Sequence, residues 1–580
     1  MVLKTEGRPS HGKQRCIVVA VDYGTTFSGV AWAQTARPEI QSIIVEWPNT
    51  EGEEGRTSDK VPTELAFNGE RPKWGFEIGD DEQRFQWFKL GMDPNQQQQQ
   101  EVSHLSIAYP SDKALPAVYS PHHSPVELAT TYLICLRKHV LKILTLKLGS
   151  GVIDTTPIRF TITVPAIWDD AAKARTQQCA KNAGMGEEIR IISEPEAAVV
   201  YALDAMDPLD FRPGDTFILS DAGGGTVDLI SYTIDALEPN LQIREAVSGD
   251  GYACGSTFLN RIFAQFLEQH LTDVEGYDDD TLDEALHDFE TNAKRRFNGD
   301  TAMMLRVRGL VDVKDKGIKR QRLTIPTDKV KSLFEPVIST ILTLLMSQLR
   351  HTTRAKAVIL VGGFGQSPYL RNCIKKVVPE TVPVLQPANG WTAVVRGALI
   401  KSLNEMNPDT SRISIASRVS RKAYGVIVGV VYDPAVHRKS LRYWDDFAGE
   451  YQIDTMHWFV TQGKQVEENK PVTTSWYRTK RIREGTFGLV TVRIYSFASS
   501  KTPGTQPAPT YHGSDVQKLV NLHADLSAIS SSMIPIERGS DERRYYKLEF
   551  EIRVSFFSAH TEYSLWYKNV EYGKVRAEYA

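Results

Sequence analysis

Within Asp221-Ala-Gly-Gly-Gly-Thr-Val-Asp228, two carboxylates bracket three consecutive glycines and a threonine hydroxyl. Glycine N–H groups are unshielded by side chains and free to adopt φ > 0, so a phosphate can approach this main chain closely. A carboxylate at a strand end can hold a hydrated Mg2+ or position a water. A second stretch, Asp22-Tyr-Gly-Thr-Thr26, has the same grammar. Phosphate binding is the chemistry that both sets allow.

Apolar runs flank each set. Phe217-Ile-Leu-Ser220 precedes the glycine triplet and Leu229–Ile234 follows it; Ile17-Val-Val-Ala-Val21 and Phe27–Ala33 flank the other turn. Apolar runs broken by a glycine cluster over this length predict β-hairpins with an unusual turn. Two copies of strand, Asp, Gly/Thr turn and strand suggest a duplicated domain clasping one nucleotide between its halves. Other elements follow from the same patterns. Val126–Leu148 has apolar residues at 3–4 spacing and predicts a helix, whereas Arg159–Val164 predicts a strand stopped by Pro165. Asp169 or Asp170 is a candidate N-cap for a helix through Lys181, ended by Gly184. Arg190–Ser193 is a short strand running into Glu194 and Pro195, with proline near the first helical turn. Val247–Ser256 is a glycine-rich turn into a helix from Thr257; further helices are predicted after Asp278–Asp280, over Val330–Leu349 and over Trp391–Leu403. Ala357–Val361 is a buried strand entering the turn Gly362-Gly-Phe-Gly365.

From about residue 410 the texture changes to strict period two, as in Leu548, Phe550, Ile552, Val554 and Phe556 alternating with polar neighbours. Such alternation means half-buried antiparallel strands. The boundary is placed at Asn407-Pro408-Asp409, giving a lead of 1–15, an α/β domain over 16–408 and a β-rich domain over 409–580. The segment after the first hairpin, 34–95, reads as loop-rich. Gln96–Gln100, Ser499–Asp515 and the pair His122-His123 read as exposed loop features.

At 580 residues the chain is too long for one core, and roughly three to five domains or subdomains are expected. A net charge of −3 gives no reason to propose nucleic acid or an anionic membrane as partner. The five cysteines, Cys16, Cys135, Cys179, Cys254 and Cys373, are scattered without CxxC spacing, which argues for reduced thiols over a disulfide frame or zinc site. The polar lead lacks the apolar core of a secretory signal, and no run approaches ~18 apolar residues. The expectation is a soluble cytoplasmic protein, with the nucleus as a second compartment.

The ordered set carries more weight than any member: Asp22-x-Gly-Thr-Thr, Glu194-Pro, Asp221-x-Gly-Gly-Gly-Thr-x-Asp, and Gly362-Gly-x-Gly after a buried strand. A dinucleotide-binding site would need strand, glycine loop and helix, whereas here the loops return into strands. In this set the chain resembles the actin-like ATPase superfamily, and within it the 70-kDa heat shock protein (Hsp70-like) family, over about residues 16–404. Trp87-Phe-Lys-Leu90, Gly255-Ser-Thr-Phe258 and Gly363-Phe-Gly-Gln-Ser-Pro368 are similar to signatures of the divergent branch. The resemblance implies a two-lobed α/β actin-like (ribonuclease H-like) domain, with lobes at about 16–205 and 206–404, closing on Mg-ATP and followed by a β-rich domain that resembles a diverged peptide-binding sandwich.

The same resemblance assigns roles. Asp22 and Asp221 would hold Mg2+ through its water shell, and Asp221 would also orient the attacking water. Gly24, Thr25 and Thr26 would bind the phosphates on one side; Gly223, Gly224, Gly225 and Thr226 would clasp them from the other, with Gly255 in the neighbouring turn. Glu194 would join the metal–water network, and Lys89 would neutralise γ-phosphate charge. Lys294 and Arg295 match the pair that touches ribose and purine, with Gly362, Gly363 and Ser367 on the base side. A helix-terminal charge for Glu194, a surface lysine for Lys89 and a solvated i,i+4 pair Glu290–Lys294 are the plainer readings.

The chain also departs from the family. Gln366 stands where an arginine stacks on adenine, Trp391 where an aspartate is usual, and Ser256 and Thr257 where acidic residues are usual. The first two bear on affinity and adenine preference. Arg190, Pro165 and Lys173 match positions that link nucleotide state to the partner domain, yet no acidic–leucine linker follows Leu403, and neither a helical lid nor a Glu-Glu-Val-Asp terminus is present. The expected activity is slow ATP hydrolysis coupled to an interaction module, with unfolded peptide, a protein client and co-chaperones as candidate partners. A small-metabolite kinase on the same fold and a nucleotide-sensing scaffold without significant ATPase stay open.

Overall fold

The structure is a computed structural model describing residues 15–50, 52–67, 71–79, 82–93, 123–206, 210–352, 354–407, 411–468, 470–499 and 508–575. Most of the expected lead, the Gln96–Gln100 run, His122 and the 408–409 boundary lie outside the described residues.

The first hairpin is β1 (Ile17–Asp22) and β2 (Phe27–Gln34), joined by β3 (Arg37–Ile43), the short β4 (Val61–Pro62), β5 (Ile158–Val164) and β6 (Arg190–Ser193). β1 is buried at every position, as expected of a strand covered on both faces, whose sequence is a continuous apolar run. Its sheet runs β6-β5-β1-β2-β3, with β4 attached to β2. β1 is antiparallel to β2 and parallel to β5, and Asp22 lies opposite Gly29. The second hairpin is β7 (Thr216–Ala222) and β8 (Val227–Ala236), joined by β9 (Asp250–Tyr252), β10 (Ala355–Val361) and β11 (Val384–Leu385). β7 is antiparallel to β8, parallel to β10, and pairs Asp221 with Asp228; β10 is in turn parallel to β11 as β5 is to β6. Each aspartate-bearing strand thus has an antiparallel hairpin partner on one side and two parallel strands on the other. The internal echo read from the sequence is a repeated sheet topology.

Eight helices position the strand ends: α1 (Pro125–Leu148), α2 (Asp170–Asn182), α3 (Glu194–Ala205), α4 (Thr257–Leu271), α5 (Asp279–Asp288), α6 (Thr327–His351), α7 (Pro368–Val377) and α8 (Ala393–Met406). α1 starts in a capping box between Ser124 and Glu127, with Pro125 in its first turn. Asp169 caps α2 by accepting from Ala172 N at 2.7 Å. α3 begins directly at the end of β6, which fixes Glu194 at a strand–helix junction. α6 is long and apolar enough to cross a membrane by length and composition. Its apolar stripe, Val330, Phe334, Val337, Ile341 and Leu345, is instead buried in a core shared with Phe258, Phe263 and Leu360. The segment expected to be loop-rich instead contains strands, from Arg37–Ile43 and Gly52–Thr57 to short ones such as Glu46–Asn49 and Glu64–Ala66; the longer ones are polar and the others too short to show a period.

Two compact units divide the chain: Met1–Gln242 with Asp250–Ser414, and Ile243–Gly249 with Ile415–Ala580. In the second unit, one five-stranded sheet runs Arg442–Asp445, Glu450–Val460, Ala423–Val431, Leu489–Phe497, Gln517–Asp525. Another runs Val472–Arg481, Arg544–Phe556, Thr561–Tyr567, Val570–Val575, with Ile536–Arg538 at Arg544–Phe556. Ile494, Val520 and Leu522 of the first share a core with Leu548, Ile552 and Val554 of the second, so two sheets pack face to face. Glu245 anchors the Ile243–Gly249 piece within this unit: its carboxylate accepts from Val419 N at 2.9 Å, and its carbonyl from Gln465 Nε2 at 2.7 Å.

Helices α3 and α8 approach unusually closely. A methyl group added at Gly397 would lie 1.7 Å from the Ala197 carbonyl oxygen, and the buried pair Lys401–Glu196, 2.6 Å apart, ties the same helices. Gly397→Ala therefore gains about 1 kcal/mol of helix propensity but forces a backbone shift costing about 1–3 kcal/mol or more. A lower thermal midpoint by circular dichroism is expected; an unchanged or higher midpoint would contradict this packing.

Candidate functional site

Strand ends bring the candidate residues together within the first unit. Asp22, at the end of β1, is buried; its Oδ2 accepts from Lys60 Nζ at 2.6 Å and its Oδ1 from Thr163 Oγ1 at 3.3 Å. Thr163 lies on β5, so the parallel pairing of β1 and β5 supplies the second donor. Lys89 sits in a 3-10 turn, Phe88–Met92, entered through Trp87 in the left-handed region at φ 58°. That conformation is uncommon for a bulky residue and requires surrounding support. It delivers an almost fully buried ammonium to Glu194 Oε1 at 2.6 Å, over the rings of Trp168 and Tyr23. The plainer reading of Lys89 as a surface residue is excluded by this burial.

The two turns meet through glycines. A methyl group at Gly224 would lie 2.5 Å from Thr26 Oγ1, and one at Gly225 would lie 2.6 Å from Thr25 Oγ1 and 2.8 Å from Leu90 Cδ2. Gly223 N donates to the Thr226 carbonyl at 2.9 Å, closing the triplet on itself. Gly255 locks on from behind: its N–H donates to Gly225 O at 3.0 Å, followed by Ser256 N to Gly223 O and Thr257 N to Gly224 O. Added bulk at Gly255 would strike the Gly224 carbonyl at 2.3 Å. Gly24 is equally confined, 2.1 Å from the Phe27 carbonyl by the same test. Gly362, at φ +83°, passes so near Asp221 that a methyl group there would lie 2.5 Å from Oδ1.

On the expected base side, Lys294 is buried and donates to Glu290, to Asn260 Oδ1 at 3.1 Å and to Ser256 Oγ at 3.3 Å. The i,i+4 pair with Glu290 is present, with Lys294 buried and Glu290 half-buried. Arg295 is exposed, its guanidinium 5.3 Å from the Phe27 ring centroid and 5.2 Å from that of Trp391, which themselves pack edge to face. Ser367 is buried and caps α7, accepting from Leu370 N at 3.4 Å. Gly363 is exposed and adjacent to the Trp391 indole, and the exposed Gln366 packs on Gly390. Of the expected coupling residues, Pro165 is buried and Arg190 pairs with Glu405 on α8.

Carboxylates outnumber the cations placed among them. Asp221 is pushed well above the usual carboxylate range, first by burial and then by the nearby charges of Glu194, Asp228 and Asp22, against a lowering from Lys60. Burial likewise raises Glu194 against the lowering by Lys89. Among the described residues, no cluster of three or more His, Cys, Asp or Glu converges to ligate a metal directly. A hard, hydrated Mg2+ needs only oxygen acceptors for its waters, and surplus negative charge around Asp221 fits such an ion. Lys60 went unnoticed in the sequence, where it is one lysine before Val61-Pro62 with no distinguishing neighbours. Only the pairing of β4 with β2 brings it to Asp22.

The raised Asp221 gives a pH-dependent prediction. The folded chain holds that proton more tightly than the unfolded one, so the ionised carboxylate costs stability at neutral pH, and the cost is relieved as pH falls through the folded pKa toward the free value of about 3.9. Asp221→Asn is expected to raise the thermal midpoint of the nucleotide-free, chelator-treated chain at pH 7, with a smaller gain at acid pH. A destabilised variant at pH 7 would contradict the placement of Asp221 among like charges.

Comparison with known proteins agrees with this geometry. Residues 96–404, more than half of the chain, match the family model described as Hsp70 protein, and residues 418–579 match a domain of unknown function (DUF8568). Heat shock 70 kDa protein 12A of Homo sapiens is 24% identical over 93% of this chain and 89% of its own length. Heat shock 70 kDa protein 12B of Homo sapiens is 22% identical, over 68% of this chain and 70% of that protein. A chaperone protein HscA homolog of Burkholderia mallei is 29% identical, over 48% of this chain and 41% of that protein. Repeated aspartate-bearing hairpins with abutting glycine and threonine turns, together with a family match over more than half of its length, make this chain a member of the Hsp70 family, in a divergent branch.

Proposed function

We propose that this chain binds ATP between its two Gly/Thr turns, hydrolyses it slowly to ADP and phosphate, and couples nucleotide state to the β-rich second unit. The observation that carries this reading is the abutment of Thr25-Thr26 on Gly224-Gly225, ringed by Asp22, Asp221 and Glu194 with Lys89 buried among them. Backbone N–H groups of Thr25, Thr26 and Gly223 to Gly225 bind the phosphate oxygens, and the Thr25, Thr26 and Thr226 hydroxyls add donors. Asp22 and Asp221 would hold Mg2+ through its water shell, and the ion would supply charge neutralisation to the phosphates. Asp221 accepts a hydrogen bond from the attacking water and aligns it in line with the leaving oxygen. Lys89, shared between Glu194 and the γ-phosphate, offsets charge that grows in the transition state. Lys294, Arg295, Gly362, Gly363 and Ser367 form the adenosine side.

Chain connectivity supports coupling. β9, which sets Gly251 against Asp228, is directly preceded by Ile243–Gly249, a piece that groups with the second unit. Unfolded peptide or a protein client is the proposed ligand of that unit, co-chaperones are proposed regulators, and the cytoplasm, with the nucleus, is the proposed location. A second reading, a nucleotide-sensing scaffold without significant ATPase, is favoured by the departures on the proposed base side, where Gln366 and Trp391 stand and Arg295 lies over the Trp391 and Phe27 rings.

Calorimetric ATP binding and phosphate release, measured with and without unfolded peptide, separate the two. Asp221→Ala and Thr226→Ala are each expected to lower phosphate release by about 100-fold or more with unchanged circular dichroism. Wild-type turnover in either variant would remove the hydrolysis assignment, and tight ATP binding without phosphate release in the unmutated chain would select the scaffold.

A further inference from the structure

Lys60 reaches Asp22 by a route that the hairpin builds. In β1–β2, Asp22 lies opposite Gly29, and in β2–β4, Phe27 and Ser28 pair with Pro62 and Val61, which sets Lys60 beside Gly29. The lysine stem lies along that glycine: an added methyl group would be 3.2 Å from Cγ, 3.4 Å from Cε and 3.6 Å from Cδ. A side chain at Gly29 would obstruct the path. The ammonium ends 2.6 Å from Asp22 Oδ2, with both side chains under a tenth exposed. Its charge also acts on Glu194 and Asp221. Asp22 takes one of the three N–H donors of an ammonium, and lysine binds phosphate as a compact point charge.

This placement alters the electrostatics of the pocket. Asp22 and Glu194, two carboxylates assigned to a hydrated metal, are each matched by a buried lysine, Lys60 and Lys89. Asp22 Oδ2 is engaged by a fixed cation, and Oδ1 accepts from Thr163. A polyphosphate seated on the Thr25-Thr26 turn, which begins three residues after Asp22, would have the Asp22-bound Lys60 ammonium near it even without a divalent ion. We propose that Lys60 is a built-in counter-ion of the phosphate site, supplying part of the charge neutralisation that a divalent cation would otherwise provide, so that this chain binds nucleoside triphosphate with weak dependence on metal. The proposal rests on the ATP-binding reading above.

The test is calorimetric affinity for ATP in excess Mg2+ and in excess EDTA, repeated with inorganic tripolyphosphate, for the full-length chain and for Lys60→Met and Lys60→Arg. The unmutated chain and Lys60→Arg are expected to lose no more than about tenfold in affinity when metal is removed, and Lys60→Met to lose about 100-fold, with tripolyphosphate showing the same order. An unmutated chain that loses about 100-fold or more overturns the proposal, and that arm holds whether or not Lys60→Met folds. Equal metal dependence in the unmutated chain and a folded Lys60→Met, checked by circular dichroism, also overturns it. Absence of ATP binding in both conditions removes the ATP reading itself, and this inference with it.

Discussion

Asp22 and Asp221 sit at or near the ends of largely apolar strands and Asp228 lies near the start of the strand paired with Asp221, and each is nearly removed from water. Burying a carboxylate is costly unless charge and hydrogen bonds compensate it. Much of the first unit is arranged to supply that compensation. β5 brings Thr163, β4 brings Lys60, and the left-handed turn at Trp87 brings Lys89 to Glu194. Among the described residues no lysine is paired with Asp221, which stands among like charges, and that local excess of negative charge fits a hydrated cation. Such sites trade stability for function.

Backbone proximity is the second constraint. The Thr25-Thr26 turn and the glycine triplet come from sequence positions about 200 residues apart, as duplicated units packed on one another would place them. They approach to distances that only hydrogen atoms at Cα permit. The third glycine turn, at Gly255, is held by three consecutive backbone hydrogen bonds to the triplet. The N–H groups of both turns are thereby oriented by main-chain geometry and not by flexible side chains, which lowers the ordering cost of binding an anion.

The residues proposed for the base side are arranged differently from the Gly/Thr turns. Lys294 is absorbed into a buried network with Glu290, Asn260 and Ser256, while Arg295 projects onto two aromatic rings. Ser256, a small hydroxyl, contributes to holding Lys294. Lys294 is thereby held between α4, the residue before it and the helical turns that follow α5. Trp391 gives Arg295 a surface that an aspartate could not provide.

Local sequence determined much of this protein. Strand–glycine–strand turns at Asp22 and Asp221, the Asp169 cap of α2, the Glu194-Pro195 helix start and the alternating burial of Arg544–Phe556 were all legible, because hydrogen-bonding and burial periods act over a few residues. The resemblance carried by the motifs also supplied Lys89 and the family. Tertiary structure alone decided the rest. Lys60 is indistinguishable from a solvated lysine until β4 pairs with β2, and Ile243–Gly249 groups with the second unit through contacts such as those of Glu245 with Val419, Gln465 and Arg421. The contact of Arg295 with Phe27 and Trp391 likewise joins three distant stretches. Charge compensation and glycine-mediated approach depend on distances between segments remote in sequence, and those distances are set by sheet register and helix packing, which no local pattern encodes.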